Sequence, residues 1–171
     1  RTFATGDPVT FNECFANRLN GLVRNHDELV KGRWVHSDLA SLITSHLSAF
    51  ASVGGPQIKI DGPSVKLGDK ANQSIGMAIH ELGTNAAKYG ALSSPQGKVA
   101  IDWMIEDGSD GNLAIRWTET GGPEVATPNR EGFGQKVINE MAGMAVGGKV
   151  DLQYRPEGVF WQYLIPKSEL A

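Results

Sequence analysis

The sequence predicts an α+β fold, a two-layer α/β sandwich whose mixed, mostly antiparallel sheet carries helices on one face and is preceded by a helix. Three observations predict it. Apolar residues recur at helical spacing in several stretches, and paired runs of alternating residues, each broken by a short turn, read as strand hairpins. The order of these units is helix, two strands, helix, two strands, helix, two strands. Hairpin pairing makes the sheet largely antiparallel and lets the helices gather on one side.

The elements follow in order. Thr10 and Glu13 form a capping-box pattern, and Phe11, Phe15, Leu19, Leu22, His26 and Leu29 then recur at helical spacing up to Gly32. A second helix is expected from Ser37, burying Leu39, Leu42, Ile43, His46, Leu47 and Phe50, with Gly54-Gly55-Pro56 closing it. Ile58–Ile60 and Val65–Leu67 read as two strands split by an Asp61-Gly62-Pro63 turn. Asp69 is expected to cap a long helix that stops at Gly90, with Ile75, Ala78, Ile79, Leu82 and Ala86 as its apolar face. Gly76 and Gly83, seven apart, would let this helix lie close against the sheet.

Val99, Ile101, Trp103 and Ile105 then alternate, as do Leu113, Ile115 and Trp117, with Asp107 to Asn112 as the hairpin loop between them. Thr120 to Gly134 has no periodicity, and a loop of that length in a compact domain points to function. A helix from Gln135 to Met144 leads to the strands Lys149–Tyr154 and Val159–Ile165, which turn at Pro156-Glu157-Gly158.

Composition excludes several classes. The 171 residues suffice for one domain with a sizeable core, and 40% hydrophobic with 20% charged residues is ordinary for a globular protein. No run approaches the roughly 18 apolar residues that span a bilayer. A net charge of −3 without a Lys/Arg cluster argues against nucleic acid as partner. The single cysteine, Cys14, excludes an intrachain disulfide framework and suits a reducing compartment. The chain begins at Arg1, so it is expected to be a piece of something longer.

Chemistry concentrates in three segments. Glu81, Asn85 and Lys88 share one helical face, one turn apart: a carboxylate, an amide oxygen and an ammonium group. A metal-bound polyphosphate asks for that set, an acid for a proton or water, an oxygen for Mg²⁺ and a cation for phosphate. A solvated face of ordinary ion pairs would also explain it. The second segment, Trp117-Thr118-Glu119-Thr120-Gly121-Gly122-Pro123, sets an acid beside paired glycines at a strand end, where the backbone can turn sharply around a ligand. Trp117 shares a sheet face with Ile115 and Leu113, which suits the core as well as a ligand contact. The third, Gly132-Phe133-Gly134, precedes a helix whose free N–H groups favour phosphate.

With these motifs in this order, the chain resembles the nucleotide-binding domain of histidine kinases, in the superfamily that includes gyrase, heat-shock-90 and mismatch-repair ATPases. More narrowly it resembles the HWE group, whose signature His, Trp and Glu are matched by His80, Trp117 and Glu119. The likeness runs from Phe15 to Pro166 and includes Asn25-His26-Asp27-Glu28-Leu29. It implies a Bergerat-type ATP-binding fold with ATP and Mg²⁺ as cofactors. Asn85 would ligate Mg²⁺, Glu81 would be its acidic neighbour, Lys88 would contact phosphate, and Tyr89 would lie along the adenine. Glu119 would receive the adenine amino group, Gly121 and Gly122 would shape the base pocket, and Gly132, Phe133 and Gly134 would form the loop over the triphosphate. His80 would position the acid. Gln135 departs from the pattern, standing where the family commonly has a small hydroxyl residue.

The family's phosphoacceptor histidine belongs to an H-R-x-x-N motif that is absent here, while His26 and His46 sit on apolar stripes and read as structural. Residues 1–34 are therefore expected to be the remnant of a dimerisation and phosphoacceptor hairpin, and 35–171 the catalytic ATP-binding domain. The γ-phosphoryl would pass to a histidine outside this fragment and then to a response-regulator receiver domain. The implied partners are ATP, the phosphoacceptor helix of the parent kinase and that receiver, in the cytoplasm without membrane contact by this fragment. Family members often dimerise through the hairpin, so a homodimer is an arrangement the resemblance allows. The alternatives are a superfamily ATPase or serine kinase, which typically keep an aspartate in place of the glutamate, and a non-catalytic nucleotide-sensing module.

Overall fold

The computed structural model describes residues 38–106, 111–125 and 133–171. The helix expected over 10–31, with Cys14 and His26, lies outside the described residues, as does Gly132.

Helix α1 spans Leu39–Leu47 and buries Leu39, Leu42, Ile43 and Leu47. Its N-cap is Asp38, in extended conformation, whose Oδ2 accepts the Ala40 N–H at 3.1 Å. Oδ1 of the same residue accepts from Ser64 Oγ at 2.8 Å and from the Val65 N–H at 3.2 Å. One carboxylate thus satisfies a helix end and fastens a distant loop to it, and the helix begins two residues later than Ser37.

Helix α2, Asp69–Lys88, buries the expected Ile75, Ala78, Ile79, Leu82 and Ala86. Asp69 does not cap it. Asp69 is the first helical residue, the N-cap is Gly68 with no side-chain bond, and Asp69 aids the helix only through its charge at the positive end of the dipole. Gly76 and Gly83 also serve a different neighbour from the one expected. A Cβ on Gly76 would sit 2.8 Å from His46 Nε2, and one on Gly83 would sit 2.8 Å from Phe50 Cε2 and 2.9 Å from Leu47 Cδ2. The two glycines receive α1, not the sheet, so α2 is covered on both sides.

Strand β1, Ile58–Asp61, pairs in parallel with β2, Lys98–Ile105, in the register Ile58↔Val99 to Asp61↔Asp102. The hairpin expected between β1 and Val65–Leu67 does not form. That segment makes only isolated bridges, Asp38↔Lys66 and Leu67↔Leu170. The reason lies in the intervening turn. Trp103 Nε1 donates to the Pro63 carbonyl at 2.7 Å, and a Cβ on Gly62 would fall 2.4 Å from the Trp103 ring, so the chain crosses the indole there. With α2 as the crossover, β1, α2 and β2 make a βαβ unit.

The other pairings are antiparallel. β2 pairs with β3, Asn112–Thr120; β3 pairs with β5, Gly158–Pro166; and β5 pairs with β4, Lys149–Arg155. The sheet order is β1-β2-β3-β5-β4. Val99, Ile101, Trp103, Leu113, Ile115, Trp117, Trp161, Tyr163 and Ile165 point inward, each at most 4% exposed, into one core with the buried faces of α1 and α2. The outer face carries a half-exposed Arg116–Asp102 ion pair at 3.5 Å and Arg155 stacked 4.3 Å over Phe160. One covered and one solvated face fit an antiparallel sheet.

The last helical stretch is interrupted. It comprises α3 (Phe133–Lys136), a π-helical turn (Val137–Met141) and α4 (Ala142–Val146), in place of the uniform helix expected over Gln135–Met144. Two inward side chains of β5 hold this shape. Trp161 Nε1 donates to the Ile138 carbonyl at 3.3 Å, and the Tyr163 hydroxyl donates to the Ala142 carbonyl. Ser74 Oγ of α2 donates to the same carbonyl at 3.0 Å and lies 2.8 Å from the Tyr163 hydroxyl. Burial pushes the Tyr163 phenol up to about 12.

Candidate functional site

Where the C-terminal half of α2, the ends of β3 and β5, strand β4 and the α3–π segment meet, they leave a cavity of about 500 Å³. Helix α2 contributes Leu82 and Asn85, and its C-cap Tyr89 and then Gly90 follow. Glu119 closes one side, with Glu124 and Val125 of the loop after β3. Gly134, Gln135 and Ile138 come from the last helical stretch, and Leu152, Tyr154 and Val159 from the sheet edge. Apolar walls with a few convergent polar groups are the usual form of a small-molecule site.

Glu119 is only 3% exposed. Its Oε1 accepts from Trp117 Nε1 at 3.0 Å and its Oε2 accepts from the Ala91 N–H at 2.8 Å. Burial pushes its carboxyl above the usual carboxylate range, while the Ala91 and Trp117 N–H groups pull it down. Glycines make this arrangement possible. A Cβ on Gly90 would lie 2.2 Å from Glu119 Oε2, and one on Gly158 would lie 2.0 Å from the Glu119 carbonyl oxygen.

Of the residues singled out by sequence, Asn85, Tyr89, Glu119 and Gly134 line the cavity. Tyr89 is 74% exposed and lies at the mouth. Glu81, one turn before Asn85, stands beside α3, since a Cβ on Gly134 would fall 2.6 Å from its Oε2. Lys88 is exposed at the end of α2 and is not on the cavity wall. His80 faces α1, its ring centroid 5.7 Å from that of Phe50 and 6.1 Å from that of His46. Gly121, at φ +70°, passes close to the Gln96 carbonyl, and a Cβ on Gly122 would meet Ala91 Cα at 2.7 Å. Phe133 opens α3. Trp117 is fully buried and still bonded to Glu119, so it serves core and site together.

Sequence reasoning missed Gly90, whose position after Tyr89 read only as a helix stop. It also missed the pair in which Gln135 Nε2 donates to the Tyr154 hydroxyl at 2.7 Å across the cavity wall. Leu152 and Tyr154 share one face of β4, and nothing in the sequence pattern placed that strand at the sheet edge beside α3.

The donor set suits a magnesium ion carried on a polyphosphate. Such an ion takes one or two protein ligands and fills its shell with phosphate oxygens and water. Asn85 offers an amide oxygen at the cavity wall, and Glu81 a carboxylate one turn away beside Gly134 of α3. Among the described residues, no group of three or more His, Cys, Asp or Glu is placed to hold a metal without such help.

Comparison with known proteins speaks to the fold and to similarity of sequence. A model of the HWE histidine kinase family matches residues 2–64, a span that ends before α2. The blue-light-activated histidine kinase of Brucella anthropi is 35% identical over 163 residues, which make up 95% of this chain and 33% of that protein. The Brucella ovis protein of the same name is 34% identical over 163 residues, with the same shares of 95% and 33%. The chain thus spans about a third of the length of the curated relatives it matches. Among solved structures, the histidine kinase domain of the Erythrobacter litoralis EL346 blue-light activated kinase superposes with a TM-score of 0.58 at 15% identity, over 86% of this chain and 70% of that one. The catalytic domain of histidine kinase ThkA superposes with a TM-score of 0.55 at 18% identity, over 80% and 98%. At such identities the likeness to solved structures is one of fold; in sequence the chain matches the HWE histidine kinase family over residues 2–64 and is similar to the two Brucella kinases over 95% of its length.

Proposed function

We propose that residues 35–171 are the catalytic ATP-binding domain of a two-component sensor kinase, binding ATP·Mg²⁺ in the cavity beneath α3. The observation that carries this reading is the Glu119 carboxylate, buried, doubly hydrogen-bonded and set at a largely apolar cavity that Asn85 also lines. Glu119 would accept the adenine amino group while Leu82, Ile138 and Val159 enclose the ring. Tyr89 would cover the base at the mouth.

Bound through the nucleotide, magnesium would neutralise phosphate charge. Asn85 would supply its protein oxygen, with Glu81 holding a proton or a water molecule beside it. The glycines at 132 and 134 would let the backbone approach the triphosphate, and Lys88 would steer phosphate from the helix end. Phosphoryl transfer asks mainly for positioning and charge neutralisation, which is what these residues offer. His80, turned towards α1, would act on Glu81 only through the backbone of α2. The γ-phosphoryl would go to a histidine outside residues 1–171, and from it to an aspartate of a response-regulator receiver in the cytoplasm. Residues 1–34 would belong to the hairpin that bears the acceptor and joins two copies.

Calorimetry with ATP and Mg²⁺ tests the site. Asn85→Ala is expected to abolish the magnesium-dependent part of binding, and full retention would sink its role. Glu119→Ala is expected to weaken ATP by about tenfold or more while leaving tripolyphosphate nearly unaffected, a hydrogen bond to a charged group being worth ~1.5–3 kcal/mol. In the full-length kinase, label from ATP is expected to be acid-labile and alkali-stable, as a phosphohistidine is. Acid-stable label would favour a serine kinase.

A further inference from the structure

The carboxylate at the base of the cavity is held more firmly than accepting one amino group requires. Residues i and i+2 of a strand share a face, so the Trp117 indole reaches along β3 to Glu119 Oε1 without leaving the core. The second donor is equally constrained. A Cβ on Gly97 would come within 1.7 Å of the Ala91 carbonyl oxygen, and one on Gly122 would meet Ala91 N at 2.9 Å. The Ala91 N–H therefore has a fixed place, and each Glu119 oxygen has one partner.

We propose that Trp117 is a positioning residue for base selection: its indole N–H holds the Glu119 carboxylate ionised and oriented, so that the site accepts a base edge presenting an amino donor and rejects one presenting a carbonyl. This rests on the ATP-binding reading and adds to it a determinant that does not touch the nucleotide. The chemistry is direct. An ionised carboxylate only accepts hydrogen bonds, so the amino group of adenine suits it and the carbonyl of hypoxanthine sets lone pairs against lone pairs. A protonated carboxyl can donate, and the discrimination collapses.

Burial drives Glu119 towards the protonated form, and two N–H groups oppose it. Removing the indole N–H removes one of those two. Among the described residues, no cation lines the cavity to compensate. Across the β2–β3 pairing Glu119 faces Val99, and β5 brings Gly158 against its backbone. The other ionisable groups lining the cavity are Glu124 of the following loop, Tyr89 of α2 and Tyr154 of β4, while the α3–π segment contributes only Gly134, Gln135 and Ile138.

The test uses Trp117→Phe in the whole chain, titrated with Mg·ATP, Mg·ITP and tripolyphosphate from neutral pH down to the ordinary carboxyl range. ATP affinity is expected to fall roughly tenfold, as for loss of a charge-assisted bond, with tripolyphosphate unchanged. The ATP-over-ITP ratio should shrink, and the pH at which ATP affinity fades on acidification should move up. An unchanged ratio and pH profile in a folded variant overturn the proposal. Should the phenylalanine variant not fold, 3-benzothienylalanine placed at position 117 keeps the fused ring and replaces the N–H with sulfur, and the same readings apply. Failure of the unsubstituted chain to bind ATP would overturn the ATP reading itself. Loss of base preference in Glu119→Gln with none in either Trp117 variant would overturn the positioning role alone.

Discussion

Glu119 links stability to pH in a direction opposite to most carboxylates. Its folded-state pKa is raised by burial, so its contribution to stability is fully present below the ordinary range near 4.5 and is lost as pH rises through the raised value. Glu119→Gln cannot titrate. The melting temperature of the native chain should therefore gain on that of the Gln variant as pH is lowered from about 7 to 5 in thermal scans. A constant difference would mean that Glu119 keeps an ordinary pKa. This residue and Trp117 were legible because their spacing of two survives any register. Gly90 and Gly97 were not, because their role depends on how closely Ala91 approaches, which only the assembled backbone sets.

At the scale of elements, helices with long apolar stripes were readable, and partners across the fold were not. The faces of α1 and α2 follow from their periodicity. The use of Gly76 and Gly83 for α1 depended on which side of α2 each neighbour takes. The parallel pairing of β1 with β2 was hidden for a similar reason, since a tight turn after Asp61 suggests a hairpin until Trp103 claims the Pro63 carbonyl. The π turn was invisible because its anchors, Trp161 and Tyr163, follow it in sequence by about two dozen residues or fewer and act through backbone carbonyls.

Two substitutions probe these contacts. Gly83→Leu should overpack the α1–α2 interface and cost about 1–3 kcal/mol in urea unfolding. Tyr163→Phe removes a buried donor to the Ala142 carbonyl, which Ser74 still serves, and should cost only about 1 kcal/mol. A much larger loss would show that the π turn itself depends on that hydroxyl.

Taken whole, the described residues share one core, and the cavity is bounded by parts of all its layers. Occupying it should therefore stabilise the entire unit. Mg·ATP at a hundredfold excess over its Kd contributes about 2.7 kcal/mol by mass action, which at this chain length raises the melting temperature by roughly 5–10 °C in differential scanning fluorimetry. Asn85→Ala should lose most of that rise. Among the described residues no helix is long and apolar enough to cross a membrane.

The glycines around Ala91 and Glu119 carry a consequence for how this domain tolerates change. Gly90, Gly97, Gly122 and Gly158 each lack space for a single methyl group, and the atoms they would strike are the Glu119 carboxylate or backbone near it. A saturation scan scored on nucleotide binding should thus find these positions as restrictive as Asn85 and Glu119. The map of sensitive positions would extend well past the surface a ligand touches, and its outer boundary would be drawn in hydrogen atoms.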